Sequence, residues 1–157
     1  KPIFYVLEEW AFQVQTFFQS FLLVFLVLLF FHKSIFYNLF LSSYLPFLNL
    51  FIFLFWFPLV IALISLRFSD FAQLVPIVLQ LTFLISPILY RKENLGDLNW
   101  ITNINFIYLI IDSLRSSLID SYINYNIQLI IFSINFLGLL LSILILNNQT
   151  KKIPFLV

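Results

Sequence analysis

Cysteine and methionine are both absent from this 157-residue chain, and glycine occurs only twice. Without cysteine there is no disulfide, haem thioether or thiolate metal site, and nothing that reports a redox compartment. With glycine confined to Gly96 and Gly138, no Gly-rich loop exists to cradle phosphates. The chain therefore does not bind a nucleotide through a P-loop of its own. Charge is scarce too: 10% of residues are charged, against about 25% in ordinary soluble domains. The net charge is +1 and no basic patch is present, which argues against nucleic acid as a partner. His32 is the single histidine, and no second His or Cys can join it around a metal. It reads as an interfacial residue at a helix end. No serine sits in a nucleophile-elbow context. No catalytic residue, metal ligand or cofactor is expected, and the chain is not read as an enzyme.

The missing methionine bears on where the chain begins. It opens Lys1-Pro2-Ile3, without the apolar run and small-residue cleavage site of a signal peptide. It reads as a fragment or a processed product.

What the chain has in abundance is apolar surface. Hydrophobic residues make up 62%, aromatics 20%, and the mean hydropathy is +1.06. A soluble core of this length cannot hide so much, so lipid must be the solvent for a large part of it. A helix needs about 20 apolar residues to cross a bilayer. Four stretches meet that length: Val14 to Phe31, Phe47 to Leu66, Leu74 to Tyr90, and Ile127 to Leu146. Each stops at polar or charged residues, because a charge left in hydrocarbon is costly. The expected fold is all-α: a single transmembrane domain over 1–157, a polytopic helical bundle of about four spans.

Two segments differ from the spans. Between Asn105 and Asp120, Ile107, Ile110, Ile111, Leu114 and Leu118 mark one face of a helix. Asn105, Tyr108, Asp112, Arg115 and Ser116 take the other positions. This amphipathic helix suits an interfacial or re-entrant position between the last two spans. The stretch Lys1 to Phe12, broken by Glu8 and Glu9, is expected at the surface before the first span. Lys and Arg are shared equally between the two sides, so the positive-inside rule gives no orientation.

The polar residues of the spans have bland and functional readings side by side. In the short turn Arg67-Phe68-Ser69-Asp70, Ser69 or Asp70 is expected to cap the next helix, and contact with a cytoplasmic partner is the alternative. Pro58, Pro76 and Pro87 are tolerated kinks or the walls of a water-accessible path. Trp10, Tyr37, Tyr44, Tyr90 and Trp100 fall near expected interfaces, as belt anchors or, for Tyr90 and Trp100, as sugar-stacking platforms.

The run Leu66 to Tyr90 resembles the ABC-2 permease signature of polysaccharide and polyol-phosphate exporters. Arg67, Asp70, Pro76, Gln80, Phe83, Ser86, Pro87 and Tyr90 match that pattern. Asn105, Tyr108 and Arg115 match the helix that follows it, with Asp112 where Glu is usual. Phe106 and Ser117 stand where the family often has Pro, and Ser69 where a second Arg is common. The resemblance spans nearly the whole chain and is specific from Arg67 to Arg115.

It implies a transmembrane permease subunit exporting a lipid-linked glycan or polyol phosphate, of the O-antigen, capsule or teichoic-acid type, across the bacterial inner membrane. Its partners would be a separate ATPase subunit, a second permease copy, the glycan and the bilayer. This chain would be the C-terminal portion, without the first spans and coupling helix, and with both its termini cytoplasmic. Arg67 and Asp70 would face the ATPase. Pro76, Gln80, Ser86, Pro87 and Tyr90 would kink or line the channel, and Asn105, Tyr108, Asp112 and Arg115 would form a gate helix, with Asp112 and Arg115 paired. Other cargo (drug, haem or lipid) and a non-transporting scaffold subunit are the alternatives. A membrane-embedded transferase has Asp97 and Asp112 as its best residues, and they form no catalytic motif.

Overall fold

The computed structural model describes residues 2–31, 34–65, 67–86, 96 and 100–149. Their order is α1 (Pro2–Phe31), α2 (Ile35–Leu41), α3 (Tyr44–Ser65), α4 (Ser69–Ile85), α5 (Trp100–Ile104), α6 (Phe106–Ile119) and α7 (Tyr125–Gln149). No strand occurs among the described residues. Three helices, α1, α3 and α7, are long and apolar enough to cross a membrane.

Each expected span meets a helix, with two adjustments. The surface segment expected at the N-terminus is instead the beginning of α1, continuous with the first span. Nothing in it breaks a helix: Pro2 stands at the first helical position, and Glu8, Glu9 and Gln13 are good helix formers. The third span starts earlier than expected and ends sooner, at Ile85. Ser86 turns extended (φ −73°, ψ 132°) because it precedes Pro87, and a residue before proline is driven out of the helical region. At 17 residues α4 is roughly 25 Å long, at the lower limit for crossing a bilayer core.

α3 and α7 form the spine. The side chains of Asn49 and Gln128, and of Trp56 and Asn135, are joined by hydrogen bonds. Both pairs are separated by 79 positions, so the two helices run parallel. α4 doubles back from the Arg67 turn along α3, bringing Ile85 close to Phe53 and Phe57. α7 starts again at the end where α3 starts. The chain between α4 and α7 therefore returns to that end without a net crossing.

α6 occupies this half of the bundle. Its first residue, Phe106, stacks edge-on against Phe53 at 5.4 Å, and Ser117 donates to Ser43 Oγ at 3.2 Å. It thus runs antiparallel to α3, from the middle of the spine to its start. Phe53, Ile110 and Ile131, from α3, α6 and α7, make the buried apolar cluster. The amphipathic segment is present as expected, but its buried face is rotated. Tyr108, Ile110, Ser117 and Leu118 are inside, and Ile111 faces out. Ser117 is small enough to let α6 approach α2 and α3 closely.

Candidate functional site

The feature with the most chemistry is the break between α4 and α6. Ser86, only 1% exposed, sits at the C-terminal end of α4 and donates its hydroxyl to the Thr82 carbonyl at 2.6 Å. The Asn105 amide donates to Ser86 Oγ at 2.6 Å. Its carbonyl oxygen accepts from the Tyr108 backbone N–H at 3.1 Å, so Asn105 is the N-cap of α6. One amide thereby ties the end of one helix to the beginning of another, satisfying a terminal N–H that apolar surroundings would leave costly. A cavity of about 380 Å³ opens beside this joint, walled by Phe53, Trp56, Phe57, Thr82, Ile85 and Asn105 among others.

One turn along α6, Tyr108 is buried. Burial first, and then the neighbouring Asp112 carboxylate, push its hydroxyl from 10.0 up to about 12, while the Arg115 guanidinium opposes them. The three side chains form one cluster in which Tyr108 is the group that both charges act on. The expected polar face is thus split. Tyr108 turns inward, Asp112 is half-buried and Arg115 stays exposed.

The remaining expected residues lie apart from this joint. Arg67 and Asp70 are exposed at the far end of the spine, where the Arg67 guanidinium lies over the Phe68 ring at 5.5 Å. The expected cap is corrected: Phe68 is the N-cap of α4 and makes no side-chain cap bond. Ser69 is already helical, because the turn is too tight to leave it outside. Asp70 stands in the first turn, where a carboxylate favours the helix dipole. Pro76 and Gln80 are exposed on α4, and Trp100 is exposed at the start of α5. Pro87, Tyr90, His32 and Asp97 lie outside the described residues.

Sequence reasoning missed the polar seam of the spine. Asn49 Nδ2 donates to Gln128 Oε1 at 2.7 Å, Asn135 Nδ2 to the Asn49 carbonyl at 2.8 Å, and Trp56 Nε1 to Asn135 Oδ1 at 2.9 Å. At the α2 end, Asn38 Nδ2 donates to the Leu118 carbonyl at 2.9 Å. The signal was available: Gln128, Asn135 and Ser142 recur at seven-residue steps in a mostly apolar helix, the spacing of a packed seam. In lipid, apolar contact gives little drive to associate, so such bonds and close packing hold helices together.

No protein-family model matches the chain, and no curated protein or solved structure matches it either.

Proposed function

We propose that this chain is the membrane subunit of a transporter, a permease like those of the ABC-2 polysaccharide and polyol-phosphate exporters. The observation that carries the reading is the joint of Ser86 with Asn105: one helix stops inside the bundle and another starts there, held by side-chain hydrogen bonds. Discontinuous helices of this kind occur where backbone lines a cavity, and transporters build substrate sites and gates from them. The agreement of Arg67, Asp70, Ser86, Asn105, Tyr108 and Arg115 with the exporter pattern supports the same reading. So does the parallel course of α3 and α7, which fits a re-entrant segment between α4 and α7.

In this reading α5 and α6 gate a path on the outer side of the bacterial inner membrane, and the Arg67–Asp70 turn meets an ATPase on the cytoplasmic side. Gln80, an amide exposed on α4, lines the path. Energy comes from ATP hydrolysed by the partner. This chain supplies the route and its closure for a lipid-linked glycan or polyol phosphate.

The test is to purify the protein, as its own cells make it, from membranes in a mild detergent. A P-loop ATPase subunit should be retained in equal amount, and cells depleted of the protein should accumulate glycan on the cytoplasmic face. A preparation that retains no ATPase, from cells whose glycan reaches the surface normally, would overturn the reading.

A further inference from the structure

α4 carries two amides on the side turned away from the bundle. The helix packs on α3, and between Asp70 and Ile85 only Phe71, Val75 and Thr82 are half-buried, all the other side chains being exposed. At 3.6 residues per turn those three share one side of α4, and Gln73 and Gln80 fall on the opposite side. Gln73, Ile77, Gln80 and Leu84 follow one another at steps of four, three and four residues. That is the spacing of a seam between two helices.

Among the described residues neither amide makes a hydrogen bond. Gln73 stands about 6 Å from the first residue of α4, near enough to reach towards a membrane surface. Gln80 does not. It precedes Thr82 and Ile85, which share a cavity with Phe53 and Phe57 in the middle of α3. At that depth an amide left against hydrocarbon costs a few kcal/mol, and a second helix that offers it a donor and an acceptor removes the cost.

The spine shows how such groups are met within this bundle. Asn49 bonds Gln128 and Trp56 bonds Asn135, in layers seven residues apart on both helices, and the two helices run parallel. Gln73 and Gln80 have the same seven-residue step. A parallel helix with polar groups at that step bonds both at once, and α4 of a second copy is such a helix. Two copies inserted the same way and related by a two-fold axis along the membrane normal place α4 parallel to itself. A glutamine amide is donor and acceptor together, so Gln73 meets Gln73 and Gln80 meets Gln80.

We infer that the outer face of α4 is a seam through which two copies of this chain pair in the membrane, with Gln73 and Gln80 bonded across it and Ile77 and Leu84 packed between the amide layers. The inference does not rest on the transport reading. Within that reading the paired amides close the path that Gln80 lines, and outside it the same seam still joins two copies.

Ile77→Cys and Leu84→Cys test the seam and keep both amides, and these 157 residues hold no other cysteine to confuse the result. Val78→Cys is the control, exposed but beside the face packed on α3. Each variant is oxidised in the membranes of the cells that make it, with tagged and untagged copies mixed, and disulfide-linked pairs are read on a non-reducing gel. Ile77→Cys and Leu84→Cys should link tagged to untagged copies, at least tenfold more than Val78→Cys. Adding Gln73→Leu and Gln80→Leu, which keep the bulk and lose the hydrogen bonds, should lower the yield from Ile77→Cys severalfold. No link at either seam position, links only to a different protein, or equal linking of Val78→Cys would overturn the pairing of two copies on this face. A yield untouched by the two leucines would overturn the part assigned to the amides.

Discussion

The Trp56 indole fills the space where a Cβ on Gly138 would stand. α3 and α7 approach so closely there that a methyl group on residue 138 would fall on the six-membered ring of that indole. The same indole donates to Asn135 one turn back, so the close approach and the hydrogen bond depend on each other. Replacing Gly138 with alanine should therefore cost about 1–3 kcal/mol, the usual range for overpacking. Thermal unfolding in detergent measures it. Adding Trp56→Leu, which empties the space but loses the indole bond, should recover part of the loss. If the two substitutions simply add, the contact is not the cause.

A gain is expected at the end of α6. Ser121 has φ 56°, in the left-handed region, and its neighbour Tyr122 donates its backbone N–H to the Ser116 carbonyl at 3.4 Å. This is the geometry of a helix closed by a left-handed residue, a position that glycine fills without steric cost. Ser121→Gly should raise stability by about 0.5–1 kcal/mol, from the relief of the strain an L-residue carries there. The same unfolding assay decides it, and a loss of stability would mean that the Ser121 side chain contributes more than its backbone costs.

The elements legible in the sequence were those whose signal is local. Val14 to Phe31, Phe47 to Leu66 and Ile127 to Leu146 stand out by length and composition alone, and Asn105 and Asp120 bracket α6 as its caps. What sequence reading missed depends on the partner helix. Tyr108 sits among the polar positions of α6, yet the bundle turns it inward because α6 packs on α2, α3, α5 and α7 and not on one helix. The seven-residue step of Gln128 and Asn135 marks a seam on α7, but their pairing with Asn49 and Trp56 follows only from α3 and α7 running parallel. α4 fell short of its expected end because one pre-proline residue, Ser86, outweighed a continuing apolar run.

Tyr108 gives the bundle a dependence on alkaline pH. Its hydroxyl is raised from 10.0 to about 12, chiefly by burial and then by Asp112. The folded state therefore holds this proton more tightly than the unfolded chain does. The resulting stabilisation is complete below about 10, declines as pH climbs from about 10 to about 12, and is gone above that. Tyr108→Phe should remove this part of the decline, and Asp112→Asn should lower the point at which the phenol ionises. A phenolate absorbance titration of each variant against the natural chain checks both, and a titration unchanged by Asp112→Asn would deny the carboxylate its role.

Asn105 performs two tasks that can be separated by substitution. Its carbonyl oxygen caps α6 at the Tyr108 N–H, and its amide nitrogen donates to Ser86 Oγ at the end of α4. Asn105→Asp keeps an oxygen for the cap and loses the N–H donor, whereas Asn105→Ala loses both. Removing a cap costs about 1 kcal/mol, so the alanine variant should open the first turn of α6 and speed hydrogen exchange at Tyr108. The aspartate variant should leave that exchange slow, because an aspartate caps as well as asparagine. If the joint between α4 and α6 is the gate, both variants should impair export, since both remove the N–H that Asn105 gives to Ser86 Oγ. Impairment by alanine alone would instead assign the effect to the stability of α6, and the joint would be a helix cap with no part in gating.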